Sequence, residues 1–242
     1  MSRPRFYLDQ NLALGARLSL PPGPARHAAR VLRLAVGDTV RLFNGRGGEF
    51  AARIDYLSKD DVAVSVTAFD DSECESPLNV MLAQGISSGE RMDYTLQKAV
   101  ELGISAIQPI AAKRSVVKLA GERADKRVAH WQGVVSSACE QSGRNRVPLV
   151  SQPLSLASWL EQKPSGRLLF LSPLATSRLA DLPQPQGLQV LIAGPEGGFE
   201  ADEIAALEYA SAVPVRLGPR ILRTETAALA ALAAMQALWG DF

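Results

Sequence analysis

The chain has 242 residues, of which 47% are hydrophobic and 21% are charged, and its formal net charge is +1. This composition is ordinary for a globular protein and allows one large domain or two modest ones, while two cysteines without a motif do not indicate a disulfide framework. The first ten residues lack an apolar segment of signal-peptide length, and no apolar run approaches the roughly 20 residues of a membrane span. We therefore expect a cytoplasmic protein without a membrane partner.

Positive charge is distributed unevenly along the chain. Residues 1–46 contain eight arginines against two acids, Asp9 and Asp38, and a second basic cluster runs from Lys113 to Arg146 and includes Lys118. Two separate basic stretches in a nearly neutral chain favour a polyanionic partner that touches the protein in two places. The alternative is that both are solvated surfaces, and charge alone leaves the two interpretations equally open.

Residues 1–70 have the pattern of short strands. The strand segments are RFYL, RLSL, TVRLFN, EFAARIDYL and DVAVSVTAF. A short helix is expected at about 24–34, and Asn44-Gly45 predicts a hairpin because both residues tolerate positive φ. Short strands separated by turns predict a small β-barrel. The acidic, proline-closed segment 70–77 marks a boundary between a first domain at 1–72 and a second at 77–242.

Beyond residue 77, predicted strands and helices alternate. The strands are NVMLAQGI, AIQPI, PLVSQ, RLLFLS, LQVLIA and VPVRLG, and the helices lie at about 89–103, 121–142, 155–162, 200–211 and 224–239. Gly103, in the left-handed conformation, and Gly240 are expected to end the helices they close. This alternation predicts an α/β domain with a mostly parallel sheet covered on both faces.

Two loops rich in glycine and proline follow strands of this predicted sheet. GPEGGF (194–199) follows LQVLIA, and LGPRILRTE (217–225) begins where VPVRLG ends. Ligands bind at the carboxyl ends of strands in open α/β sheets, and glycine lets the backbone approach a ligand closely. Two such loops predict a binding site, although either loop alone could be a plain strand-to-helix turn.

Other site motifs are absent from the sequence. Neither GxxxxGK[ST] nor GxGxxG occurs, so a P-loop or a dinucleotide site is not expected. His27 and His130 stand alone, and the cysteines Cys74 and Cys139 lie far apart, so we expect no metal site. A serine-hydrolase site is not expected because GxSxG is missing.

Five segments, in chain order, resemble one known family. They are HAARVLRLAVGD (27–38), LQKAVELG (96–103), EQSGR (140–144), GPEGGF (194–199) and LGPRILRTETAALAAL (217–232). Together they resemble the 16S rRNA uracil-N3 methyltransferases of the SPOUT superfamily, and the resemblance covers nearly the whole chain. It implies a PUA-like barrel followed by an α/β domain with a deep trefoil knot. It further implies S-adenosylmethionine as cofactor, a homodimer, and methylation of a uridine near the decoding centre of the 30S subunit.

The resemblance also implies which residues form the cofactor pocket, at the ends of three strands. They are Leu171, Gly194, Pro195, Glu196, Gly197, Gly198, Leu217, Gly218, Ile221, Leu222 and Thr224.

Methylation of N3 of uracil requires an unpaired base and removal of the N3 proton, by a general base or with help from a cation that stabilises the developing oxyanions. The candidates are Glu101, Glu140, Gln141, Arg144, Arg223, Thr224 and Glu225. Arg144, acting within the chain or across the dimer, and Arg223 are expected to orient the anionic uracil or its phosphate, with Glu140 or Glu225 as the base. Glu225 has a structural alternative, because an acid is favoured in the first turn of a helix.

Basic residues are expected to hold the RNA phosphates, which gives affinity without reading sequence. They are Arg3, Arg5, Arg26, Arg30, Arg33, Lys113 and Arg114. Two other functions remain open at this point. One is a non-catalytic RNA-binding protein of the same fold, and the other is a SPOUT methyltransferase that acts on tRNA or on a ribose 2′-hydroxyl.

Overall fold

The chain divides into two compact units in a computed structural model that describes residues 3–117, 119 and 121–242. The first unit is Met1–Glu75 with Ser136–Val147, and the second is Ser76–Val135 with Pro148–Phe242. The segment 136–147 joins the first unit because its side chains bond there: Arg144 binds Glu75, and Glu140 binds the backbone of Tyr7. Lys118 of the second basic cluster lies outside the described residues.

The first unit is built on a five-stranded sheet, and all five segments expected to be strands form one. The strands are β1 (Arg5–Tyr7), β2 (Arg17–Ser19), β3 (Thr39–Phe43), β4 (Glu49–Leu57) and β5 (Val62–Asp70). Their order is β1-β3-β4-β5-β2, with β1 parallel to β3 and the other pairs antiparallel. Alternate apolar residues of these strands, such as Val40, Ile54 and Val64, form its buried core.

The helix expected at about 24–34 is shorter and irregular. An α-helix, α1, covers Pro22–Arg26, and one π-helical turn, His27–Val31, continues it. The amide of Leu32 donates to the carbonyl of His27 at 3.0 Å, the i to i+5 bond of such a turn. Arg33 then takes a φ of 52°, which ends the helical segment.

The second unit contains a seven-stranded sheet in which every recorded ladder is parallel, which confirms the predicted α/β class. Its strands are β6 (Val80–Gly85), β7 (Ala106–Ala111), β8 (Leu149–Val150), β9 (Leu154–Ser155), β10 (Arg167–Leu171), β11 (Gln189–Ala193) and β12 (Val213–Val215). The order is β12-β10-β11-β6-β7-β8, and β9 also pairs with β7. The strand expected at 148–152 is shorter, because β8 covers only Leu149–Val150, and β9 lies beyond the expected segment.

Five helices accompany the strands of this sheet. They are α2 (Gly89–Glu101), α3 (Glu122–Ser142, whose last residues belong to the first unit), α4 (Leu156–Glu161), α5 (Ala201–Tyr209) and α6 (Thr224–Trp239). Gly103 follows α2 with a φ of 85°, as expected for a left-handed helix end. Helix α6 packs against α2 and β11. Among the described residues, no helix is long and apolar enough to cross a membrane.

The sheet order positions the candidate site. Strands β12, β10, β11 and β6 are neighbours and run in the same direction, so the loops that leave their carboxyl ends meet at one edge. Among these loops are both glycine and proline loops identified in the sequence.

Candidate functional site

A cavity of about 650 Å³ lies at the carboxyl ends of β10, β11 and β12. All residues that the family resemblance assigned to the cofactor pocket line it: Leu171, Gly194, Pro195, Glu196, Gly197, Gly198, Leu217, Gly218, Ile221, Leu222 and Thr224. Of the residues proposed for catalysis, Arg223 and Glu225 also line it, and Arg114 does so from the RNA-binding set. The structure thus brings the GPEGGF loop and the LGPRILRTE loop together around one cavity.

The GPEGGF loop lies directly against the end of β6. A Cβ atom at Gly85 would be 2.3 Å from the backbone nitrogen of Pro195 and 2.7 Å from the carbonyl carbon of Gly194. These distances are too short for any side chain, so only glycine allows this approach. Pro195 itself is buried, which fixes the loop on the sheet.

Glu196 connects this loop to the start of α2. Its carboxylate accepts hydrogen bonds from the backbone amide of Ser88 (3.0 Å), the Ser88 hydroxyl (3.1 Å) and the Arg91 guanidinium (3.3 Å). Burial alone would raise the pKa of Glu196, but these hydrogen bonds outweigh it and lower that pKa below its usual value. Glu196 therefore stays ionised and holds the loop in place.

Lys113 and Arg114 bond to residues of the same loop region. Arg114 donates to the carbonyl of Gly197 at 3.2 Å and lies 3.6 Å from the carboxylate of Glu200. Lys113 forms ion pairs with Asp202 and, at 3.8 Å, with Glu200. Their charges are thus partly neutralised within the chain, and Arg114 forms part of the wall of the cavity.

Exposed arginines form a basic rim on the cavity. Arg216, Arg220 and Arg223 line it and are exposed, and none of them forms an ion pair with an acid in the described part of the chain. Unpaired positive charge at the mouth of a cavity attracts anionic ligands. The rim therefore suits a nucleic acid or another polyanion.

Glu225 stands out among the acids of the site. It lies in the first turn of α6 and lines the cavity. Its Oε2 atom is buried and has no hydrogen-bond partner among the described residues. A buried carboxylate oxygen without a donor is costly and therefore rare, so this atom is a candidate for contact with a ligand.

Three other candidates for catalysis lie elsewhere. Glu101 forms an ion pair with Lys98 (2.7 Å) at the end of α2. Glu140 and Arg144 belong to the first unit: Glu140 accepts from the amide of Tyr7 at 2.9 Å, and burial raises its pKa. None of the three residues lines the cavity.

Arg144 is buried, with 5% of its surface exposed. Its guanidinium donates twice to one carboxylate oxygen of Glu75, at 2.5 and 2.9 Å. These bonds fix the start of the loop that follows α3.

Arg5 differs from the other arginines that the sequence assigned to RNA. It is paired with Glu49, and its guanidinium donates to Oδ1 of Asn145 (2.8 Å) and to the carbonyl of Arg144 (3.0 Å). Burial lowers its pKa. Arg5 therefore holds residues of the first unit together.

The other four arginines of that set in the first unit, Arg3, Arg26, Arg30 and Arg33, are exposed. Arg30 pairs with Asp60 at 2.5 Å on the surface. Exposed pairs of this kind are worth little, so Arg30 can exchange its partner for a phosphate.

The sequence prediction missed several residues of the site. Ser172, Pro173 and Leu174 continue from β10 along the cavity, and the signal was present, because a proline follows an apolar strand there as well. Arg91 reaches the cavity from α2, and nothing in the sequence around it indicates a place in the site. Within the described ranges, no group of three or more His, Cys, Asp or Glu residues could hold a metal ion.

Comparisons with known proteins match the chain to RNA methyltransferases. Residues 74–236 match the family model of the RNA methyltransferase domain, and residues 25–67 match that of the RNA methyltransferase PUA domain. The ribosomal RNA small subunit methyltransferase E of Buchnera aphidicola subsp. Acyrthosiphon pisum is 32% identical, over 99% of this chain and 95% of the relative. The protein of that name from Bacillus subtilis is 32% identical, over 96% of this chain and 95% of the relative.

Two solved structures are similar over their full length. A ribosomal RNA small subunit methyltransferase E from Neisseria gonorrhoeae, bound to S-adenosyl methionine, is 46% identical with a TM-score of 0.93, and both chains are covered completely. A putative methyltransferase from Legionella pneumophila, in complex with the same cofactor, is 39% identical with a TM-score of 0.96, again over 100% of both chains. The chain therefore belongs to the RNA methyltransferase family with an N-terminal PUA domain, the family of the ribosomal RNA small subunit methyltransferases E.

Proposed function

We propose that the protein is an S-adenosylmethionine-dependent methyltransferase that methylates N3 of a uridine in the 16S rRNA of the small ribosomal subunit. One observation carries the proposal. The cavity at the ends of β10 to β12 is lined by every residue that the family resemblance assigned to the cofactor. The solved structure of a relative 46% identical to this chain, bound to S-adenosyl methionine, supports the same conclusion.

The chemistry of the cavity fits this cofactor. Its volume, about 650 Å³, is within the range of small-molecule sites. Gly85 leaves room for the backbone of the GPEGGF loop, whose N–H and C=O groups suit the polar edges of an adenosine. The side chains of Leu171, Leu217 and Leu222 add apolar walls.

The bound cofactor supplies an electrophilic methyl group, and this chain must present the deprotonated N3 of uracil to it. We assign the general base to Glu225, because this residue lines the cavity and its Oε2 atom has no hydrogen-bond partner among the described residues. We assign orientation of the anionic uracil, or of its phosphate, to Arg223 on the basic rim. Positioning then provides most of the acceleration.

The remaining assignments are parts of the same proposal. Glu101, Glu140 and Arg144 stay predicted catalytic residues, and the intramolecular bonds of Glu140 and Arg144 favour a supporting role in the first unit. We also propose a homodimer located in the cytoplasm, where small ribosomal subunits are found. Sedimentation equilibrium of the purified protein tests the dimer.

Gly198→Val is expected to abolish S-adenosylmethionine binding while the N-terminal unit stays folded. Gly198 has a φ of 67°, and a β-branched residue in this conformation is strained. Relief of the strain moves the loop that lines the cavity. Isothermal calorimetry measures the affinity and near-UV circular dichroism the folding. Gly187→Val, at a φ of 74° in open space, is the control for backbone strain alone. If Gly198→Val keeps its affinity for S-adenosylmethionine, the loop is only a strand-to-helix turn and does not bind the cofactor.

Alanine at both Arg30 and Arg33 is expected to weaken RNA binding and to leave cofactor affinity unchanged. Each lost phosphate contact makes the negative slope of log K against log salt concentration shallower by about 0.7 to 0.9. Filter binding of 16S rRNA over several salt concentrations measures both effects. Arg53→Ala, an exposed arginine of the same unit, is the control. If the variant binds RNA as tightly as the wild type does, Arg30 and Arg33 do not contact RNA.

The activity itself is tested by methylation of 30S subunits from a strain that lacks the gene. Mass spectrometry of the digested rRNA should find one N3-methyluridine in 16S rRNA. Methylation of tRNA, or of a ribose 2′-hydroxyl, would redirect the proposal to another SPOUT substrate. Absence of cofactor binding in calorimetry would favour a non-catalytic RNA-binding protein.

A further inference from the structure

A glutamine lies inside the apolar strand β6, where the pattern NVMLAQGI is otherwise hydrophobic. Gln84 is completely buried, opposite Ala193 of β11 and Pro109 of β7. Its amide nitrogen lies 3.0 Å from the carbonyl oxygen of Gly85 and 3.1 Å from the hydroxyl oxygen of Thr224. The side chain thus reaches from the central strand to the first residue of α6.

These contacts fix the direction of a chain of hydrogen bonds. A carbonyl oxygen can only accept, so the atom next to the Gly85 carbonyl must be the nitrogen of the Gln84 amide. That nitrogen donates to Oγ1 of Thr224, and the hydroxyl of Thr224 donates its single proton to the carbonyl of Gly194 at 2.5 Å. The series of hydrogen bonds therefore runs from Gln84 through Thr224 to Gly194, the first residue of the GPEGGF loop.

The buried amide also has an unfavourable consequence. Oε1 of Gln84 is buried without a hydrogen-bond partner among the described residues. An apolar side chain of the same size would avoid this cost, so packing alone does not explain a glutamine at this position. The carbonyl of Gly85 does not depend on Gln84, because it also accepts from the hydroxyl of Ser87 at 3.3 Å. What depends on Gln84 is the orientation of the Thr224 hydroxyl.

We propose that Gln84 is a positioning residue for cofactor binding, which it supports by orienting the Thr224 hydroxyl toward the carbonyl of Gly194. This inference rests on the proposal that the cavity binds S-adenosylmethionine. Without the amide donor, the Thr224 hydroxyl can rotate and the end of β11 loses a fixed link to α6. The loop that lines the cavity is then no longer held ready for its ligand.

The test is a double-mutant cycle on cofactor affinity, with Gln84→Met and Thr224→Val as variants of similar shape. Gln84→Met is expected to weaken S-adenosylmethionine binding about tenfold in calorimetry. In the Thr224→Val background the same substitution should change affinity less than about twofold, since Gln84 acts through Thr224. In the Thr224→Ser background, which keeps the hydroxyl, the effect should return. The melting temperature of the cofactor-free protein should not fall in Gln84→Met.

Gln108→Met is the matched control. Gln108 is also a buried glutamine of this sheet, in β7, but it donates to the carbonyls of Pro109 and Gln152, which do not line the cavity. Its substitution should leave cofactor affinity unchanged. An unchanged affinity in Gln84→Met, or equal losses with and without the Thr224 hydroxyl, would overturn the inference. Cofactor binding that survives Gly198→Val would instead show that the proposed cofactor site is wrong.

Discussion

Gly85→Ala is expected to weaken S-adenosylmethionine binding by at least about 100-fold, which corresponds to about 2.7 kcal/mol. The added methyl group would lie 2.3 Å from the nitrogen of Pro195, so the backbone of the GPEGGF loop must move. Because Pro195 is buried and rigid, this movement shifts the loop as a unit and distorts the wall of the cavity. Isothermal calorimetry with the purified variant measures the loss.

Gly133→Ala is the matched control for this substitution. Gly133 lies in α3 within the second unit, and a Cβ atom there would have no heavy atom within 4 Å. The same chemical change should therefore leave cofactor affinity unchanged and raise helix stability by up to about 1 kcal/mol. If Gly85→Ala binds the cofactor as the wild type does, the contact between β6 and the loop has no role in the site.

Much of the fold was predictable from local pattern. Strand β4, residues 49–57, coincides with the expected segment because apolar and polar residues alternate from Ala52 to Tyr56. The parallel sheet was predictable because β11, with all five residues buried, contains the apolar run from Val190 to Ala193 that is typical of a strand covered on both faces. The trefoil knot depends on how the chain threads, which no local pattern records, and it stays a prediction from the family resemblance.

The candidate site was only partly predictable, and the reason is physical. Backbone loops at strand ends carry a signal in glycine and proline, so Gly194 and Gly218 were found. The contacts of Gln84 and Gly85 join residues far apart in sequence, such as Gln84 and Thr224, and arise only from the sheet order β11-β6. Gln84 is a polar residue within an apolar strand, and Gly85 ends that strand. Both were visible in the sequence, but the sequence pattern does not show that they contact the GPEGGF loop region. Likewise, charge counting could not separate the paired Arg5 from the exposed Arg33.

Glu225→Gln is expected to lower kcat by about 100-fold to 10,000-fold, the usual contribution of a general base, with cofactor affinity unchanged. The amide keeps the size of the side chain but cannot take the N3 proton of uracil. In the variant, the rate should rise about tenfold per pH unit over the range in which N3 is protonated, because only the anion formed in solution reacts. Single-turnover methylation of 30S subunits as a function of pH measures both effects.

The structural alternative for Glu225 predicts a different result. An acid in the first turn of α6 is stabilising through the helix dipole, and its loss would lower the melting temperature without changing kcat. Glu208→Gln removes an exposed carboxylate of α5 and controls for the change in net charge, so it should affect neither quantity appreciably. A stable Glu225→Gln protein with a slow, pH-dependent rate supports the base assignment. A destabilised protein with normal kcat would show that Glu225 only stabilises the first turn of α6, and the base would then have to be sought among Glu101 and Glu140.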